Sequence, residues 1–174
     1  IQFSEVASGS ASYNTVSNIS YTGASWSASG ILASGPGSIQ ADNNIINECQ
    51  ASGYWSECGG SFTDNSISQT LAGTGRHEVY GFLGVYGTAG PVAKFNPSGI
   101  DTDLKRSTAL AAASPMTYSV IVSGNTMDAG GTDTSYAVFP YAYNSGNASL
   151  QIFDNRITNY LVGLEFWEDT GTPI

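Results

Sequence analysis

The scarcity of charged residues, and the small polar residues that stand in their place, restrict the fold of this chain more than any other feature. Charged side chains make up only 11% of the 174 residues, which is less than half the usual share. Gly, Ser, Thr and Asn take their place, and Ser, Thr and Asn disfavour helix interiors because their side chains bond to nearby backbone groups. The aromatic content is 11%, led by ten Tyr. This composition predicts β-strands joined by tight turns.

Alternation of apolar and polar residues predicts strands over much of the last third, at 116–123, 135–143 and 157–167. The segment His77 to Tyr86 is apolar on both faces, which predicts a strand buried on both sides. Gly81 and Gly84 within it indicate a bulge or a close approach of neighbouring chain. One short helix is predicted at 101–113, since Ala favours helices and Ser114-Pro115 would end it.

These patterns predict a single all-β domain spanning residues 1–174. The predicted architecture is an antiparallel β-sandwich or jelly roll of about ten strands, with at most one short helix. No internal repeat is evident in the residue identities. Residues 1–12 are set apart within the domain as an extended N-terminal strand and tether.

The net charge of −9 excludes whole classes of partner. A surface of this charge repels phosphate backbones, so nucleic acid is not an expected partner. No apolar run approaches the roughly 20 residues that a membrane helix requires, so we expect no membrane insertion.

Two features predict secretion or display at the cell surface. Cys49 and Cys58 would close a small loop as a disulfide, which persists in oxidising compartments. The sequons at Asn18 and Asn147 are candidate N-glycosylation sites, although Asn- and Ser-rich sequences also produce sequons by chance.

Candidate ligand sites are few. Asp128 and Asp133 bracket a glycine turn and are candidate ligands of a structural calcium ion, while ordinary turn chemistry is the alternative. No other cofactor is expected. Planar aromatic rings bind sugars, and the candidates are Trp26, Tyr54, Trp55 and Trp167; the alternative is that these rings cover the core.

No catalytic motif is present, so we predict that the chain is not an enzyme. His77 is the only histidine, and the nucleophile-elbow pattern is absent. Glu165 and Glu168 lie near aromatic residues, but on one strand they would point to opposite faces.

Self-assembly is the remaining prediction. Ile1, Phe3 and Val6 form a short apolar strand, followed by a Ser/Gly-rich tether at 7–12; an ordinary first strand and loop is the alternative. The predicted function is a structural subunit of an extracellular fibre, pilus-like filament or coat, with itself as partner through β-strand addition. The alternative is a carbohydrate-binding or adhesion module with glycans as partners.

Overall fold

A computed structural model describes residues 1–3, 8–19, 28–69, 79–87, 117–130, 135–143 and 147–169. These ranges contain fifteen strands and no helix. The first eight strands are β1 (Gln2–Phe3), β2 (Gly9–Ser12), β3 (Thr15–Ile19), β4 (Ser29–Asp42), β5 (Ile45–Cys49), β6 (Ser52–Thr63), β7 (Ser66–Ser68) and β8 (Val79–Gly87). The rest are β9 (Thr117–Ser123), β10 (Thr126–Asp128), β11 (Ser135–Tyr143), β12 (Asn147–Phe153), β13 (Arg156–Thr158), β14 (Val162–Leu164) and β15 (Trp167–Asp169). The helix predicted at 101–113 lies outside the described residues.

Every strand pair in the described ranges is parallel, so the predicted antiparallel sandwich is wrong. A ten-stranded sheet follows the path β1-β4-β6-β8-β11-β14, with β2, β9, β12 and β15 attached beside it. A five-stranded sheet has the order β13-β10-β7-β5-β3. Each strand therefore pairs with the strand one circuit earlier in the chain, which makes the molecule a parallel β-helix.

Each circuit, or rung, contributes strands to three faces. Face 1 stacks β1, the first half of β4, the first half of β6, β8, β11, and then β14 with β15. Face 2 stacks β2, the second halves of β4 and β6, then β9 and β12. Face 3 is the five-stranded sheet. β8 and β9 pair with the two halves of one strand, β6, so both belong to a single rung.

The corner between faces 2 and 3 has the same two-residue form in five successive rungs. Its first residue always has a positive φ, between 54° and 67°, a region that only Gly, Asn and Asp enter readily. The five are Tyr13, Asn43, Asp64, Gly124 and Asp154. This turn moves the chain into another sheet instead of reversing it beside itself, which is why a sequence full of turn residues forms parallel strands.

The second residue of this corner is always Asn, and the five side chains form a continuous ladder along the molecule. The side-chain Nδ2 of each Asn donates to Oδ1 of the Asn in the next rung, at distances of 2.8 to 3.1 Å. The backbone N–H of each donates to the same oxygen at 2.9 to 3.1 Å. The ladder consists of Asn14, Asn44, Asn65, Asn125 and Asn155.

Backbone carbonyl groups complete the ladder. Nδ2 of Asn65 also donates to the carbonyls of Ala41 and Thr63, at 3.0 and 2.9 Å. Asn44, Asn65 and Asn125 are at most 1% exposed. Burying an amide is costly unless its donors and acceptors find partners. The ladder meets that requirement only when consecutive rungs are in register, so it fixes the stacking.

The interior is a single apolar column framed by all three faces. Face 3 contributes the residue two positions after each ladder Asn: Val16, Ile46, Ile67, Met127 and Ile157. Face 1 opposes them with Gly30, Gly53 and Gly81. A Cβ on Gly53 would lie 2.8 Å from Cδ1 of Ile67 and 2.9 Å from the carbonyl oxygen of Gly81. These glycines let the two faces approach closely, as predicted for Gly81.

Strand β8 is buried on both of its faces, which confirms the prediction from its sequence. Phe82 and Tyr86 point into the interior core. Tyr80, Leu83 and Val85 belong to an outer cluster on face 1, together with Trp55, Phe139 and Tyr141. The rings of Tyr80 and Tyr136 stack on this side with centroids 5.5 Å apart.

We predict that Asn65→Ala lowers the free energy of unfolding by about 2–4 kcal/mol, because the buried backbone N–H of Asn44 loses its acceptor and Oδ1 of Asn125 loses one of its two donors. Asn47→Ala is the control, since Asn47 lies on β5 outside the ladder, and we expect a change within about 0.5 kcal/mol. Urea unfolding measures both. Equal losses in the two variants would show that the ladder does not hold the rungs together.

We also predict that Gly53→Ala destabilises the protein by about 1–3 kcal/mol, since the added methyl overpacks the interior. Gly163→Ala is a matched control, because Gly163 lies on face 1 between Val162 and Leu164, with nothing within 4 Å of its Cβ position. Thermal unfolding should shift downward for the first variant alone. An unchanged unfolding temperature for Gly53→Ala would show that the interior can accommodate the added methyl group.

Candidate functional site: the edges of the terminal rungs

The first and last strands of face 3 are the edges of the five-stranded sheet. Among the described residues, β3 pairs only with β5, and β13 pairs only with β10. An edge strand presents unpaired backbone N–H and C=O groups, which are a template for pairing with another chain. These two edges are the candidate functional site.

The hydrogen bonds of the inner rungs define which groups each edge presents. The residue after a ladder Asn donates its N–H to the carbonyl of the Asn one rung earlier, as in Ile45 to Asn14 and Arg156 to Asn125, both 2.8 Å. By the same geometry, the N–H of Thr15 and the carbonyl of Asn155 point away from the stack. The first edge therefore presents this donor and the last edge presents this acceptor.

The terminal ladder residues are also incompletely bonded. Among the described residues, no group donates to Oδ1 of Asn14, whereas Oδ1 of every later ladder Asn accepts two bonds. At the other end, Nδ2 of Asn155 bonds to the carbonyls of Val122 and Phe153. Its backbone N–H meets no Asn oxygen in the described ranges. The ladder thus ends in an acceptor on one side and a donor on the other.

The last rung exposes apolar surface that inner rungs bury. Leu150, Ile152, Ile157 and Tyr160 are only partly buried although they pack on the core. Beyond them, Leu161 is 63% exposed and Phe166 is 59% exposed. The hydroxyl of Tyr160 donates to Oε1 of Gln69, at 3.1 Å, which ties this rung to the interior.

The predicted assembly strand is already paired within its own chain. Gln2 and Phe3 lie beside Leu32 and Ala33 of β4, and the amino group of Ile1 donates to the carbonyl of Gly30 at 2.9 Å. Phe3 packs against the core, and Val6 lies outside the described residues. Ile1 to Phe3 are therefore the start of the first rung in this structure, which matches the alternative of an ordinary first strand.

The predicted sugar platform is not assembled around Tyr54 and Trp55. Tyr54 is 2% exposed in the core, where it stacks on Phe62 at 4.7 Å, and Trp55 is 7% exposed in the outer cluster. These rings cover apolar surface, as the alternative held. Trp167 is 42% exposed, and its Nε1 donates to Glu165 at 3.0 Å. Trp26 lies outside the described residues, as does His77.

The proposed calcium ligands are not brought together in the described part of the chain. Asp128 accepts hydrogen bonds from the N–H of Gly130 and from Nδ2 of Asn159, at 2.9 and 2.8 Å. These two bonds hold the pKa of its carboxyl below the usual value. Asp133 lies outside the described residues, and no cluster of three potential metal ligands occurs within the described ranges.

Both cysteines are free and buried, in place of the predicted disulfide. Cys49 Sγ lies 3.0 Å from the Cβ position of Gly30, which neighbours Gly53 across the strands. Cys58 Sγ lies 3.9 Å from Oγ of Ser56 on β6, and no bond joins it to Cys49.

The two sequons stay predictions. Asn18 is exposed on β3 with φ of 56°, and Asn147 begins β12 beside Thr117. The ladder residues are what the sequence reasoning missed. Their signal is an Asn followed two positions later by Val, Ile or Met, repeated five times at irregular spacing.

The buried thiols yield a prediction about pH. Burial raises the pKa of Cys49 from 9.0 to about 11 and that of Cys58 above its usual value. The native protein should therefore react with a thiol reagent such as DTNB only after unfolding. Because the folded pKa of Cys49 exceeds the unfolded one, its contribution to stability is complete below about pH 9 and is lost as the pH rises through about 11. Fast labelling of native protein at about pH 8, or a mass about 2 Da short of the dithiol, would contradict this.

None of the described residues forms a helix long and apolar enough to cross a membrane. Comparison with known proteins gives no match to any family model, any curated protein or any solved structure.

Proposed function

We propose that this chain is a non-enzymatic structural subunit of an extracellular fibre, filament or coat, held together by strand addition at its terminal rungs. The observation that carries the proposal is the pair of edge strands, β3 and β13, each with one side that no other described strand covers, on a sheet whose inner strands are paired on both sides. Strand addition uses neutral backbone groups, and affinity comes from main-chain hydrogen bonds.

The charge of the chain makes its association depend on salt. Only 11% of residues are charged, but the net charge is −9, so copies repel one another at long range. Salt screens that repulsion over a Debye length of about 10 Å at 0.1 M. Contacts between backbone amides are little affected by salt, so added salt should favour association.

The interior suits an element that must resist mechanical force. Each rung buries side chains against its neighbours and shares the asparagine ladder, so the rungs support one another along the axis. Five ladder members in register span about 19 Å at about 4.8 Å per rung. Such a stack resists bending at each rung without needing a disulfide.

We predict that the native protein elutes well above 18.1 kDa and forms filaments or sheets visible by electron microscopy. Light scattering over a salt series from about 20 to about 500 mM should show a rising average mass, because screening removes the repulsion between copies. A monomer of 18.1 kDa at every concentration and salt would refute the proposed function.

A further inference from the structure

We propose that copies of this chain stack head to tail, with the last rung of one copy against the first rung of the next, so that the asparagine ladder continues from Asn155 to Asn14 of the next copy. This inference rests on the proposed function and specifies its partner, polarity and register. The occupant of each edge is a second copy.

The polarity follows from the ladder. In the chain, each Asn donates through N–H and Nδ2 to Oδ1 of the next. The last member, Asn155, has a backbone N–H without an Asn acceptor in the described ranges, and Asn14 has an Oδ1 without a donor there. Head-to-tail stacking joins these groups. Stacking the first rung of one copy on the first rung of another would place the two Asn14 Oδ1 acceptors against each other.

The backbone edges carry the same polarity. The N–H of Thr15 points outward from the first rung, and the carbonyl of Asn155 points outward from the last. Inside the chain this donor and acceptor always meet, at 2.8 to 2.9 Å. Stacked copies would form the same bond between Thr15 of one copy and Asn155 of the other.

The register is set by the four pairings already within face 3. In each pairing, the residue that follows one ladder Asn lies beside the residue that follows the ladder Asn of the next rung, as Thr15 lies beside Ile45 and Thr126 beside Arg156. Continuing this pattern places Arg156 beside Thr15 of the next copy and Ile157 beside its Val16. The apolar column of face 3 then runs through the junction, which completes the burial of Ile157.

Face 2 fits in the same register. The inward column there reads Ala11, Ala41, Phe62, Val122 and Ile152 through successive pairings. The small Ala11 at the first rung would receive Ile152, the large and partly buried residue at the last.

Face 1 imposes a condition on stacking. There β14 and β15 already lie over β11, at the level that β1 of the next copy would occupy. The incoming copy must therefore release β1 from β4. This strand is held by two register positions, Gln2 with Leu32 and Phe3 with Ala33, and by the bonds of Ile1 to Gly30 and Leu32, whereas β2 and β3 have eight paired positions. Strand β1 thus covers the first edge until a preceding copy replaces it.

Disulfide trapping tests the register directly. Variants T15C and R156C are mixed and oxidised, and we expect a cross-linked dimer only in the mixture, because adjacent in-register Cα atoms lie within disulfide range. The mixture of T15C with T158C is the off-register control and should give no dimer. The intrachain pair S66C/T126C, which are neighbours in the chain, is the positive control.

Two further variants test the edge itself. Thr15→Pro removes the outward N–H and should reduce the assembly to the 18.1 kDa monomer, while Thr15→Ala keeps that N–H and should assemble. A chain lacking residues 1–3 should assemble faster than the full chain, because β1 no longer has to leave.

The outcomes separate the two proposals. Large assemblies without the cross-link between T15C and R156C would overturn the head-to-tail register and leave the structural function standing. An unaltered assembly in Thr15→Pro would also overturn the register. A monomer under all conditions would remove both.

Discussion

The buried side-chain amide of asparagine is the constraint on which this molecule depends. Asn44, Asn65 and Asn125 are almost fully buried, and each satisfies its donors and acceptors through the Asn of the neighbouring rungs and through nearby backbone carbonyl groups. An unpaired buried amide is destabilising by more than a typical hydrogen bond contributes. The ladder therefore favours one register over every register in which the rungs are displaced. The apolar columns stack in that same register.

The register in turn determines at which positions of the interior a large side chain can be accommodated. Gly30, Gly53 and Gly81 share one column because Ile46, Ile67 and Met127 occupy the space opposite them. A rung displaced by one residue would bring a large side chain to the same place and turn the apolar set outward. Polar satisfaction at one corner and steric fit across the interior thus select the same arrangement.

The sequence predicted the β class, the burial of β8 on both faces and the close approach at Gly81. It misled on strand direction because turn residues such as Asn43 and Asp64 suit a hairpin as well as a corner between sheets. The repeat was hidden because the ladder spacings are 30, 21, 60 and 30 residues. Asn65 and Asn125 are neighbours in space although 60 residues separate them. The candidate site was missed for the same reason, since the edges exist only once the rungs are stacked.

The spacings also show how the three corners of the molecule differ in their tolerance of length. The rung from Asn44 to Asn65 takes 21 residues, which is close to the number that three faces and their corners require. In the longer rungs, the additional residues fall between faces 3 and 1 or between faces 1 and 2, and the ladder corner keeps two residues every time. The corner between faces 2 and 3 thus keeps a constant length, and the other two corners accept insertions of very different size. One extra residue beside any ladder Asn would break the ladder.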